Sequence, residues 1–209
     1  MSHGIPEEGP SKYAAEGTLA HEVCESLLKE QYCMAKRDPG VSAGLSALPD
    51  HGAEMQVCAE DYLKVIDPFM SGQTEIGKVD YWAIEKHIPI FPGAGCYGTA
   101  DFIAIGEKGM VVIDYKYGRG RKVREDSTQL KLYALGCLKG LKLYGEDYKI
   151  ITVVFQPRIS TTPVISEYTT TQIETFEHEV VAAIETSMKT QKGDNLLAGG
   201  HCFLSLIHI

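Results

Sequence analysis

Apolar residues recur along the first third of the chain at three- and four-residue intervals, the spacing of one helix face. Leu19, Val23, Leu27 and Leu28 form such a stripe, which predicts a helix from Tyr13 to about Arg37. Met55, Cys58, Tyr62, Val65 and Ile66 form another and predict a helix over about 51–69. Between them, residues 38–49 begin with Asp-Pro-Gly, end near Leu-Pro, and read as a loop. The pattern then changes. Runs near 79–87, 98–105 and 110–116 predict strands, the last two joined as a hairpin by Gly106-Glu107-Lys108-Gly109. Leu130, Tyr133, Ala134 and Cys137 return to helical spacing over 126–139. The β-branched run 149–156 predicts a strand and 163–169 a weaker one. A closing helix over 171–189 starts in a Thr-rich capping segment. This order of elements predicts an α/β fold around a mixed sheet.

The hairpin carries the chemistry. Val111, Val112 and Ile113 make a continuous apolar run, as in a strand covered on both faces. It ends in Asp114-Tyr115-Lys116, and polar groups ending such a run need a partner or a purpose. Asp101 opens the preceding strand, so the hairpin brings Asp101 and Asp114 to one end of the sheet. Asp114 and Lys116 are two apart and share a face. Two carboxylates and an ammonium there suit a hard divalent cation beside a phosphate. The alternative is a charged hairpin rim without chemistry.

A length of 209 residues suits one domain with a sizeable core, and 44% hydrophobic with 23% charged residues is the composition of a soluble globular protein. No apolar run approaches the roughly 20 residues of a membrane helix. The start Met-Ser-His-Gly-Ile-Pro-Glu-Glu lacks the parts of a signal peptide, so a cytoplasmic location without membrane partners is expected. Six cysteines include no CxxC pair, and Cys24, Cys58 and Cys137 read as buried thiols. A net charge of -8 argues against nonspecific coating of nucleic acid but leaves room for a local basic strip. Arg119, Arg121, Lys122 and Arg124 supply one in the loop after Lys116, either tracking phosphates or solvated. Gln156 and Arg158 extend that surface or form the polar end of an edge strand.

The order His21, Gly98-x-x-Asp101, Asp114-x-Lys116, Gln129-x-x-x-Tyr133 resembles the PD-(D/E)XK nuclease superfamily. The resemblance is closest to its RecB-like branch, which includes the CRISPR adaptation nucleases. Within that branch, Gly17-Thr18-Leu19-Ala20-His21-Glu22, Ile113-Asp114-Tyr115-Lys116-Tyr117-Gly118 and Gln156-Pro157-Arg158 resemble a phage and prophage family. The resemblance covers about residues 12–203 and implies a restriction-endonuclease-like core, a central mixed β-sheet flanked by helices. It implies Asp101, Asp114, His21 and the backbone carbonyl of Tyr115 as ligands of Mg²⁺ or Mn²⁺, with Lys116 orienting the attacking water and balancing phosphate charge. Gln129 and Tyr133, one helical turn apart, would line the site. Glu85 reads as structural or as an outer acid. The implied activity is a metal-dependent DNA nuclease, an exonuclease acting on duplex ends or single strands. Its implied setting is phage recombination or repair, with phage recombination proteins as partners. A non-cleaving DNA-binding module of the same fold is the alternative.

The expected organisation is a loose lead-in over 1–12, one nuclease-like domain over 13–200 and a truncated or non-native tail over 201–209. Ala198-Gly199-Gly200-His201-Cys202 resembles the approach to a cysteine-rich region that holds an iron–sulfur cluster in some RecB-like nucleases. With Cys202 alone there, no cluster is expected.

Overall fold

In the computed structural model, the apolar run of the hairpin lies at the centre of a five-stranded sheet. Residues 12–48, 51–120, 122–143 and 148–189 are described. The sheet has the order β1 (Val79–Phe91), β2 (Cys96–Gly106), β3 (Gly109–Tyr115), β4 (Lys149–Phe155), β5 (Val164–Thr169). Only β3 and β4 run parallel; the other neighbours are antiparallel. The parallel pair needs a crossover, supplied by helix α4 (Thr128–Leu141). Every residue of β3 is buried, as expected of a strand covered on both faces.

Alternation along the strands divides the core. Phe102, Ala104, Val111, Ile113, Tyr115, Val153 and Phe155 point to one face. There they meet Val23, Cys24 and Leu28 of α1 (Lys12–Cys33) and Met55, Tyr62 and Ile66 of α3 (Gly52–Met70). Ile103, Ile105, Met110, Val112, Ile150 and Val154 point to the other, against Leu130, Ala134, Leu135 and Leu138 of α4. The chain has an α/β fold, a mixed sheet flanked by helices.

Two local expectations change. The segment read as a loop contains a short helix, α2 (Pro39–Ser46). Asp38 caps it by accepting a hydrogen bond from the Gly40 N–H at 2.7 Å, and Pro39 sits in its first turn. Two glycines and one buried residue, Val41, hid its period. Asp101 does not open its strand; it lies in the middle of β2, which pairs with β1 from Cys96 to Gly106 and with β3 only over Phe102–Ile105.

Contacts divide the chain into two compact units, residues 1–174 and 175–209. The first contains the sheet, α1 to α4 and the start of α5 (Thr170–Lys189). In the second, the described residues continue α5 to Lys189. Residues 1–11 of the expected lead-in, the expected tail, Cys202 and Arg121 lie outside the described residues, and Lys12 already belongs to α1.

Candidate metal centre at the end of the sheet

Backbone geometry sets up the site. The paired register of β2 and β3 ends at Phe102↔Ile113. One residue further, an Asp101 carboxylate oxygen accepts the Tyr115 N–H at 2.6 Å, taking the place of a ladder carbonyl. Across the other edge of β2 stands Glu85, whose φ of 47° lies in the left-handed region rarely entered by a strand residue other than glycine. The pairing of β1 and β2 runs through Ile84↔Phe102 and Lys86↔Ala100, which sets Glu85 opposite Asp101.

His21 reaches this point from α1. Its Nδ1 lies 3.5 Å from Asp101 Oδ1 and 3.9 Å from Glu85 Oε1, and its ring meets Tyr115 edge-on at 5.5 Å. His21, Glu85 and Asp101 each offer one donor atom within 4.8 Å of the others, a possible metal-binding group. Burial opposes protonation of His21, but hydrogen bonds and charge from both carboxylates outweigh it and raise its pKa to about 10. A protonated His21 offsets one of the two carboxylate charges.

Asp114 and Lys116 sit beside this group. Asp114 is buried, and Lys116 Nζ lies 3.0 Å from its Oδ1. Burial pushes the Asp114 carboxyl up to about 6, with Lys116 opposing and the Asp101 charge adding to the rise. Burial likewise works against the Lys116 ammonium, yet Asp114 outweighs it and holds its pKa above the ordinary lysine value. Lys116 is therefore a cation. Its own N–H bonds the Phe155 carbonyl at 2.9 Å, which fixes it at the carboxyl end of the parallel pair. Sites in open α/β sheets favour that end.

From α4, Gln129 Nε2 donates to Tyr133 Oη at 2.8 Å, and Tyr133 lies within electrostatic reach of Lys116. The Tyr133 ring lies over Gly98, where an added Cβ would overlap it. The glycine of Gly98-x-x-Asp101 is thus the seat of the tyrosine.

The basic residues are placed differently from one another. The Arg158 side chain is only 9% exposed, bonds Glu16 at 2.8 Å and Glu54 at 3.2 Å, and stacks on Tyr117 at 4.5 Å. Arg119 is 65% exposed and bonds Glu54 at 3.1 Å. The two arginines hold the Glu54 carboxyl below its ordinary value against the opposing effect of burial. Gln156 is buried and accepts the Val123 N–H at 2.7 Å, so it pins the loop after Lys116 from below. Lys122 and Arg124 lie on that loop. The member missed by sequence reasoning as an inner group is Glu85. Antiparallel pairing of its strand with β2 was the available signal; its backbone twist was not visible.

Among the described residues no helix is long and apolar enough to cross a membrane. The family model described as "Protein of unknown function (DUF2800)" matches residues 1–208, and the chain belongs to that family.

Proposed function

We propose that this protein is a metal-dependent nuclease that hydrolyses phosphodiester bonds of DNA. The observation that carries the reading is the meeting of His21, Glu85 and Asp101 beside the buried Asp114 and its half-buried partner Lys116 at the carboxyl end of the parallel strands. The donor set suits a hard divalent ion, because carboxylate oxygens prefer Mg²⁺ or Mn²⁺ and an imidazole shifts the balance toward Mn²⁺. Such an ion would also relieve the buried charge of Asp114. His21, Glu85 and Asp101 would hold it, with Asp114 and the Tyr115 carbonyl as neighbours. The bound ion supplies Lewis acidity and positive charge at a phosphodiester.

The chain's own residues do the rest. Lys116, held protonated by Asp114, presents an ammonium that offsets phosphate charge and orients water. It acts as a charge and a donor, since its raised pKa disfavours loss of the proton. The Gln129–Tyr133 pair fixes the phenol at the edge of the site through one hydrogen bond and the Gly98 seat. The resemblance of the ordered motifs supports DNA as substrate and phage recombination or repair as the setting.

The test is incubation of end-labelled linear duplex and single-stranded DNA with Mg²⁺, Mn²⁺ or EDTA, beside Lys116→Ala. Cleavage that needs the metal and is lost in the variant supports the reading. Metal-independent cleavage, or equal activity in Lys116→Ala, overturns it.

A further inference from the structure

A cleft of about 690 Å³ is lined in part by Tyr13, Gly17, His51, Tyr117, Arg119 and Arg158. That volume falls within the roughly 300–1,000 Å³ of sites that enclose small ligands. The cleft adjoins the metal group along the chain at two points: Tyr117 follows Lys116, and Gly17 lies one helical turn before His21.

Its two sides differ in chemistry. One carries paired charges, Arg119 and Arg158 against Glu54 and the lining residue Glu16. Arg158 is half-buried over the Tyr117 ring and held by Glu16 and Glu54, while Arg119 is exposed and shares Glu54 with it. Glu54 can therefore release Arg119 and keep a partner. The Tyr117 hydroxyl is buried with no partner among the described residues. The other side is flat and aromatic. Tyr13 is 84% exposed, and Gly17 stands one turn further along α1. A Cβ at Gly17 or Gly120 would meet nothing within 4 Å, and one at Gly118 only the Gly120 nitrogen at 3.9 Å. Glycine weakens a helix relative to alanine, and no neighbouring atom explains this one.

We propose that this cleft holds one nucleotide unit of single-stranded DNA next to the phosphodiester at the metal group. Its base stacks on Tyr13 across Gly17, and its phosphate takes Arg119 from Glu54 in front of the fixed Arg158. Stacking on Tyr13 needs a base that is free of its neighbours, which a single strand offers and a duplex does not, so the substrate is unpaired here. The inference rests on the nuclease reading and adds the strand class to it.

Fluorescence anisotropy with labelled oligothymidylate and a blunt hairpin duplex, in EDTA to prevent cleavage, tests it. Wild type binds the single strand more tightly than the duplex. Tyr13→Ala weakens that binding roughly tenfold, and Gly17→Leu, which fills the cleft, weakens it at least as much with an unchanged or higher Tm. Tyr97→Ala, an exposed tyrosine elsewhere, binds as wild type. Wild-type binding by both cleft variants, or a preference for duplex, overturns the inference. If the protein cleaves DNA while both variants bind normally, the cleft assignment alone falls. If wild type neither binds nor cleaves, the nuclease reading falls with it.

Discussion

At the residue scale, the site is a set of charges that need one another. His21 is held protonated by Asp101 and Glu85, so its pKa in the fold lies above its ordinary 6.5. The stabilisation from this contact is full below pH 6.5 and is lost as pH rises through about 10. A metal ion needs the neutral imidazole and must displace that proton. Calorimetry with Mn²⁺ in buffers of different ionisation enthalpy should therefore show proton release and an affinity that rises with pH. Both effects should shrink in His21→Ala. Asp114 gives a second prediction. Its raised pKa means that its contribution to stability is present below 3.8 and lost as pH rises through about 6. Above that, burying the charge costs at most about 3 kcal/mol, at roughly 1.4 kcal/mol per pKa unit. Asp114→Asn removes that cost but leaves Lys116 unpaired. The expected outcome is a protein about 1–2 kcal/mol more stable at pH 8, seen as a Tm raised by several degrees, with no cleavage. A lower Tm at that pH would contradict the account of Asp114 burial.

At the element scale, α4 is positioned by glycines on the strands it crosses and on its own surface. Gly98 receives the Tyr133 ring, and a Cβ at Gly136 would overlap the Ile88 side chain of β1. Gly98→Ala should push Tyr133 away from Lys116. Cleavage should fall at least tenfold while the fold loses about 1–3 kcal/mol, a typical cost of overpacking. Urea unfolding followed by circular dichroism, together with the initial cleavage rate, separates the two effects. Gly17 behaves in the opposite way. It lies in α1 with open space around it, so Gly17→Ala should stabilise the protein by roughly 0.5–1 kcal/mol.

At the scale of the whole molecule, Arg158 joins parts that the sheet does not. It follows β4, yet bonds Glu16 on α1 and Glu54 on α3, and lies over Tyr117 beyond β3. Removing Arg158 takes a charge-assisted hydrogen bond from Glu16 and one from Glu54, which keeps Arg119; in this part-exposed cluster the cost is about 1–3 kcal/mol. Arg158→Ala should lower the urea midpoint accordingly, and a shift near zero would show that the cluster is solvated. On the nuclease reading, a chain of net charge -8 would take DNA through the local basic groups around Arg119, and binding should then weaken steeply with added salt.

Periodicity was enough to determine most elements, because helix and strand faces must bury apolar side chains at intervals of three to four and of two. The stripes of α1, α3 and α4 and the buried run of β3 were legible for that reason. The α2 helix was not, since its formation depends on the Asp38 cap more than on an apolar face. The Asp114–Lys116 contact was also legible, as residues two apart on a strand share a side. Tertiary structure alone decided the rest. Glu85 joins His21 and Asp101 through a left-handed backbone turn within a strand, which no residue pattern announces. Arg158 and Gln156, which look like available polar ends in the sequence, turn inward because helices and a loop from distant positions supply their partners. Sequence fixes which faces must be covered; which charges end up sharing a buried space depends on how the covered elements cross.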